Sequence, residues 1–323
     1  MSAIGAVVIG RNEGARLKRC LNSLAPQVAH LVYVDSGSRD DSVNFAHSIG
    51  AHVVELDNAT PFTAARARNA GYDKLMEVAE CELVQFIDGD CGVEPDWIAK
   101  ASAQMDANPR LGIVTGWRRE IFPDNSIYNA LCDVEWHRPP GPITTCGGDM
   151  MVRAAAVDDV DGFDPTVIAA EDDEFCQRVR AANWELLRIP EQMTLHDANM
   201  LHFKEWWKRA ERSGHGFAQV SDLHQGYFKT EVRRVVVFGA LLPVLALVGL
   251  LFSWTLLLLV VIAYGISYSR TVIGLQKEGV KAKPLLYQLS GLLSLSKIPN
   301  MIGMVRYYLR KRAGRDMRLI EYK

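Results

Sequence analysis

The chain has 323 residues, 36 Lys+Arg against 38 Asp+Glu and a formal net charge of −2, a length that allows two domains at most at roughly 100–200 residues each. The charge is unevenly spread: residues 1–232 hold 22 basic and 35 acidic side chains, and residues 233–323 hold 14 and 3. With 49% hydrophobic residues the chain is not of disordered type, and its acidic body lacks the basic footprint that nucleic-acid binding needs, so no nucleic-acid partner is expected.

MSAIGAVVIG has no charged leader and runs straight into a strand pattern, which predicts a cytosolic amino-terminal body without a secretory signal. Apolar runs then alternate with helical patterns. Residues 3–9 predict a strand, followed by Leu17, Leu21 and Leu24 at helical spacing. Residues 31–34 predict a second strand, followed by a helix through Val43 and Ala46. Strand 53–56, helix Ala64–Val78, strand 83–87 and helix 97–105 continue the series. Such alternation predicts a doubly wound, mostly parallel sheet covered on both faces, which binds ligands beyond the carboxyl ends of its strands. Cys20, Cys81, Cys91, Cys132, Cys146 and Cys176 show no CxxC spacing, as expected of buried thiols in a reducing compartment.

Polar clusters fall at those strand ends: Arg11-Asn12-Glu13 after the first, Asp35-Ser36-Gly37-Ser38 after the second, Asp88-Gly89-Asp90 after the fourth. No GxGxxG follows the first strand, which disfavours a dinucleotide oxidoreductase. Asp88-Gly89-Asp90 is open to two explanations. Its carboxylates can share a hard divalent cation with a diphosphate, or the segment is plain turn chemistry. Weight comes from Glu171-Asp172-Asp173-Glu174, four acids opening a helix. The macrodipole accommodates one or two of them; four repel one another, so one is a candidate base near a reacting hydroxyl.

Further on, His202-Phe203-Lys204-Glu205-Trp206-Trp207-Lys208-Arg209 combines paired Trp with bases, either an interfacial segment at a lipid surface or part of the packed body. Residues 235–269 carry no charge. As one helix they would be about 52 Å long, well over the roughly 30 Å hydrocarbon core. Two short spans of about 17 residues turning near Phe252-Ser253-Trp254 fit better. Arg233 and Arg234 before the run, and Arg270, Lys277, Lys281 and Lys283 after it, put both ends in the cytoplasm. Residues 285–305 contain Lys297 and Pro299 and precede the basic RYYLRKRAGR. They are expected to form amphipathic helices on the inner leaflet rather than a third span.

Taken in order, the segments resemble the family 2 glycosyltransferases of GT-A fold. VVIGRNEGARLKRCLNSL looks like that family's opening strand and helix, VDSGSRDDS its nucleotide-base loop, AARARNAG its Arg-Asn-x-Gly segment and FIDGDCGVEPDWI its DxD segment. CGGDMMVRAAAVDDVDGFDP resembles its Gly-rich acceptor-side segment, and AEDDEFCQRVRAANWELLRIP the segment with the catalytic acid. The resemblance implies nucleotide or donor contacts from Asn12, Glu13, Asp35 and Arg68, with Asp88 near the ribose and sugar. It implies a divalent metal, Mn²⁺ or Mg²⁺, on Asp90, with Asp88 and His196 as further candidates; His196 is equally well a core or loop histidine, and His202 is a weaker candidate. Asp172 would be the general base, and Gly148, Asp149 and Glu171 would lie on the acceptor side.

Two departures stand out: Asp35-Ser36 where the family often has two acids, and Asp161 where Gly is common before Phe163. The Q/RxxRW element of processive synthases is missing, and a hairpin offers too few spans for a translocation channel, so one sugar per encounter is expected. The implied layout is a cytosolic catalytic domain at 1–232, a transmembrane hairpin at 233–270 and interfacial helices with a basic tail at 271–323. The implied enzyme is an inverting, metal-dependent, non-processive transferase at the inner membrane. Its donor would be a nucleotide-diphosphate sugar, first of all a UDP-sugar. Its acceptor would be a hydroxyl of a lipid-linked glycan in exopolysaccharide or surface-glycan assembly, held on a polyprenyl diphosphate among membrane lipids. The alternatives are a polyprenyl-phosphate glycosyltransferase and a non-catalytic sugar-nucleotide-binding scaffold.

Overall fold

The computed structural model describes residues 3–57 and 59–317; the first two residues of the opening segment and positions 318–323 of the tail lie outside them. Its contacts divide into two units, residues 1–122 with 135–199, and residues 123–134 with 200–323.

The first unit is built on β1 (Ile4–Gly10), α1 (Ala15–Leu24), β2 (His30–Asp35), α2 (Ser42–Ser48), β3 (His52–Glu55), α3 (Ala64–Val78), β4 (Leu83–Asp88), β5 (Cys91–Val93), α4 (Trp97–Ala107) and β6 (Leu111–Glu120). After α5 (Ile127–Trp136) come β7 (Gly141–Pro142), β8 (Met150–Arg153), α6 (Ala154–Asp158), α7 (Glu171–Ala181) and β9 (Glu185–His196). The sheet runs β3-β2-β1-β4-β8-β6-β9-β5, with β7 on β9. Its first four strands are parallel, as the alternation predicts. β8 lies antiparallel between β4 and β6.

β1 is buried along its centre because layers cover both faces. Leu17, Cys20, Leu21 and Leu24 of α1 fill one layer with Trp97 and Met105, while Leu75, Phe86, Phe163 and Phe175 fill the other. Parallel connections leave every loop after β1, β2 and β4 at one edge, and there the candidate site collects. The β6–β9 pairing is interrupted by register shifts between Thr115 and Trp117 and between Trp117 and Arg118. Such a bulge re-aims the side chain that follows it, here Arg118.

In the second unit, α8 (Phe203–Leu223) is followed by α9 (Lys229–Val236), a π-helical turn at Val237–Leu241, α10 (Leu242–Phe252), α11 (Trp254–Lys277), α12 (Lys283–Leu295) and α13 (Lys297–Arg312). His202 is the N-cap of α8, and the Glu205 carboxylate accepts from the N–H groups of Leu201 and His202 at 2.8 Å each. Residues 200–232, expected with the catalytic body, group instead with the C-terminal helices. Arg306 pairs with Glu211, and the Tyr307 hydroxyl donates to Asp222 at 2.7 Å. The paired tryptophans split: Trp206 is buried near Tyr128, and Trp207 is half-buried.

Among the described residues two helices are long and apolar enough to cross a membrane, Lys229–Phe252 and Trp254–Lys277, each of 24 residues. They turn at Ser253, as expected, and its hydroxyl accepts from the N–H of Leu256. A side chain at Gly249 would lie 2.6 Å from the Leu257 nitrogen, so glycine permits the close return. Each is longer than the expected 17 residues, because helix continues through the flanking charges. Residues 285–305 fall in two helices broken at Ser296, neither reaching span length.

Candidate active site

The loops after β1 and β2 are laced together. Asn12, at φ 55°, donates its N–H to Ser38 Oγ at 2.8 Å and accepts from Arg39 N–H at 2.7 Å. Glu13 pairs with Arg16 at 2.7 Å. Asp35 is buried; its oxygens accept from the Tyr33 hydroxyl at 2.8 Å and from the N–H groups of Gly37 and Ser38 at 2.9 and 2.8 Å. Asp35 therefore shapes the 36–38 turn in place of the open contact expected of it. Phe62 packs over Gly37, with the guanidinium of Arg11 5.4 Å from its ring.

Arg68 projects from α3, whose N-terminus is capped by Thr63. It bridges Asp88 and Glu171 at 2.9 Å each, with its guanidinium over the Phe163 ring. Burial works against this cation, but Asp88, Glu171 and Asp172 hold its pKa above the ordinary value. Asn69 beside it clamps Phe163 through that residue's N–H and carbonyl at 2.8 and 2.7 Å. Asp161 stands at φ 57°, the left-handed conformation that Gly adopts freely and Asp tolerates. The departure at that position keeps the backbone path.

Asp149 corrects an expectation. It is 1% exposed, one oxygen accepts the Asp88 N–H at 3.0 Å, and the other accepts Thr194 Oγ1 at 3.1 Å and pairs with Arg118 at 2.8 Å. A carboxylate so enclosed cannot touch an acceptor; it joins β4, β6 and β9. Glu171, buried against Arg68, is likewise withdrawn from the acceptor side. Gly148 backs the same arginine: an added Cβ there would lie 1.9 Å from Arg68 Nη2.

Of the four acids opening α7, Glu171 holds Arg68, Asp173 accepts from the Thr145 hydroxyl at 2.6 Å and Glu174 forks with Arg178. Asp172 has no ion pair among the described residues and accepts only the Asp173 N–H, at 2.9 Å. Burial, with Glu171 and Asp173 adding to it and Arg68 opposing, pushes its carboxyl up to about 8. Ala170, at φ 58°, starts the helix from a left-handed residue, a strained position of the kind found at functional sites. The exposed face of Gly147 opens between Arg118 and Asp172: a Cβ there would lie 3.5 Å from Arg118 Nη2 and 3.7 Å from Asp172 Oδ2.

On the other side of Asp88, His196 Nε2 meets Asp90 Oδ1 at 3.2 Å, Nδ1 lies 3.9 Å from Glu120, and Trp136 packs edge-on at 4.4 Å. Burial opposes the imidazolium, but Asp90 and then Glu120 raise the His196 pKa. Asp90, Cys91 and His196 offer ligand atoms all within 4.8 Å of one another. Nε2 is the imidazole nitrogen turned to Asp90, and an oxygen–nitrogen pair at this spacing suits a divalent ion. The site residues therefore fit the expected metal. His196 joins this cluster, whereas His202 caps a helix of the second unit.

Protein-family models for Glycosyl transferase family 2 match residues 6–159, and for Glycosyl transferase family group 2 residues 83–276. The chain belongs to the family 2 glycosyltransferases. A TPR repeat-containing protein of Synechococcus elongatus is 39% identical over 139 residues, 43% of this glycosyltransferase-family chain and 33% of its own. A pre-mycofactocin glycosyltransferase of Mycobacterium tuberculosis is 23% identical over 233 residues, 68% of this chain and 48% of its own. The chain thus spans a third to a half of the length of these relatives. A mannosyltransferase from Pyrobaculum calidifontis, solved with GDP-Man and Mn²⁺, shares the fold at TM-score 0.61 and 17% identity, covering 96% of this chain and 88% of that one. Glucosyl-3-phosphoglycerate synthase from Mycobacterium tuberculosis follows at TM-score 0.50 and 16% identity, with 68% and 79% covered. The fold is GT-A.

Sequence patterns missed Asn69, Arg118, Gly147 and Thr194. Asn69 carried a signal in its Arg-Asn-x-Gly context; Arg118 and Thr194 carried none, being polar residues in otherwise ordinary strands.

Proposed function

We propose that this chain transfers one sugar from a nucleotide-diphosphate donor to a neutral hydroxyl of a membrane-held acceptor, with inversion. The observation that carries this reading is Asp172: the acid of its cluster left without an ion pair, beside an open glycine and across from Arg118. In a single displacement the acceptor oxygen forms the new bond to the anomeric carbon, the bond to the diphosphate oxygen breaks, and the acceptor proton passes to Asp172. One attack without a protein nucleophile inverts the centre. A base with pKa near the working pH supplies about 10²–10⁴-fold.

Asp90 and His196 would hold the divalent cation, which offsets the charge gathering on the departing diphosphate more in the transition state than in the ground state. Arg68 fixes Asp88 from one side while Asp149 fixes its backbone from behind.

Two apolar helices support a lipid-held substrate, because tethering to a membrane raises the effective concentration of what the membrane holds. Basic flanks at Arg233, Arg234, Arg270 and Lys277 support a catalytic unit on the cytoplasmic face. A lipid-linked glycan intermediate of surface polysaccharide is the acceptor class that fits both. The test is release of nucleoside diphosphate by the full chain from a panel of UDP- and GDP-sugars, with and without lipid extract and chelator. Metal-dependent release stimulated by lipid extract is expected; full release in chelator by an Asp90→Ala variant would overturn the scheme.

A further inference from the structure

Cys91 has no part in the transfer described above, yet its sulfur stands beside the two residues that would hold the metal. Cys91 and His196 are directly opposed in the antiparallel β5–β9 ladder, so their side chains leave the sheet on the same face. Asp90 precedes Cys91 at the strand end, and the sulfur lies 3.6 Å from Asp90 Oδ1. The same Oδ1 is 3.2 Å from His196 Nε2. At tetrahedral angles, bonds of about 2.0–2.3 Å from zinc to oxygen, nitrogen and sulfur place ligand atoms about 3.3–3.6 Å apart. The sulfur–oxygen separation falls in that range, the oxygen–nitrogen one is slightly shorter, and the third is within 4.8 Å. Glu120 lies 3.9 Å from the other imidazole nitrogen, a carboxylate near the histidine on the side away from Asp90.

We infer that Asp90, Cys91 and His196 form a mixed oxygen–sulfur–nitrogen site for a soft divalent cation, Zn²⁺ or Cd²⁺, which occupies the position proposed for the catalytic ion and holds the enzyme inactive. Hard ions such as Mg²⁺ take oxygen ligands and leave the sulfur as a thiol. A soft ion binds the thiolate, the thiol proton leaving to solvent as the sulfur–metal bond forms. Three protein ligands then close most of a tetrahedral shell and leave little room for diphosphate oxygens. The inhibitory consequence rests on the proposed transferase reading; the three-ligand site itself does not.

The test uses the full chain in detergent without any sugar nucleotide. Cd²⁺ titration should raise an ultraviolet thiolate-to-metal charge-transfer band. Cys91→Ser and Cys91→Ala should both abolish the band and weaken Cd²⁺ and Zn²⁺ roughly 100-fold, since even second-sphere losses cost 10–100-fold. Mn²⁺ binding followed by electron paramagnetic resonance should change less than about threefold on the same variants, while His196→Ala weakens all three ions. Unchanged Cd²⁺ affinity and an unchanged band in the Cys91 variants would overturn the site. X-ray absorption on the zinc-loaded parent needs no variant: one sulfur in the first shell supports it, and none refutes it. If transfer is found, Zn²⁺ should inhibit the parent at concentrations at least about tenfold below those for Cys91→Ser; equal inhibition would remove the inhibitory role.

Discussion

Asp172→Asn keeps the shape of the side chain and removes its charge, so it separates what the carboxylate does for catalysis from what it costs the fold. In the folded chain the group titrates near 8 against an ordinary 3.8. Between those values the folded state holds a proton that the unfolded state has lost, so stability falls as pH rises from about 4 to about 8 and is level above. Four decades of proton affinity set an upper bound near 6 kcal/mol at about 1.36 kcal/mol per decade. Asp172 is half-buried, so solvent screening discounts that bound, and the net gain of the variant is about 1–2 kcal/mol at pH 9. The assay is thermal unfolding of parent and variant in chelator from pH 4 to 9, paired with acceptor transfer. The variant should match the parent at pH 4, exceed it progressively towards pH 8, and lose about 10²–10⁴-fold in kcat. A stability difference independent of pH would refute the burial cost assigned to this carboxylate, and a loss under tenfold would refute its role as base.

Neighbouring glycines should part company. Gly148→Ala drives a methyl into Arg68 and should cost donor binding as the Asp88–Arg68–Glu171 bridge shifts; Gly147→Ala meets nothing closer than 3.5 Å and should keep the fold and nucleotide affinity, measured by calorimetry, while raising the acceptor KM at least about tenfold. Asp149→Ala removes the nearer partner of buried Arg118, leaving Asp88 at 3.9 Å, and should destabilise by about 3 kcal/mol, read by denaturant unfolding of the purified chain. Leu247 and Leu258 are 63% and 58% exposed on the two long helices. Arg at either removes little packing and costs about 2.5–3.5 kcal/mol at a bilayer centre, so sedimentation with membranes should weaken; unchanged sedimentation would argue against a spanning hairpin. Such point variants are preferable to truncation at 232, which strips α13 from α8 and breaks the Tyr307–Asp222 and Arg306–Glu211 contacts.

Local physics in the chain determined much of this protein. Apolar runs too short for helices predict β1 to β4, and helix Ala64–Val78 falls where its periodicity and Thr63 cap put it. The hairpin turn at Ser253 follows from a charge-free run longer than one bilayer crossing. Strand ends carrying Asn12, Asp35 and Asp88 were legible because parallel connections bring every such loop to one edge. Tertiary structure alone decided which carboxylates are free. Asp149 and Glu171 look no different in sequence from Asp172, and only the arrival of Arg118 from β6 and Arg68 from α3 neutralises the first two and leaves the third. Residues 200–232 grouped with the C-terminal helices for a similar reason, since a helix face is assigned by whatever buries it. Ion pairing and burial are long-range: partners 103 residues apart, as Arg68 and Glu171 are, leave no mark on local composition or period, so only the folded chain names them.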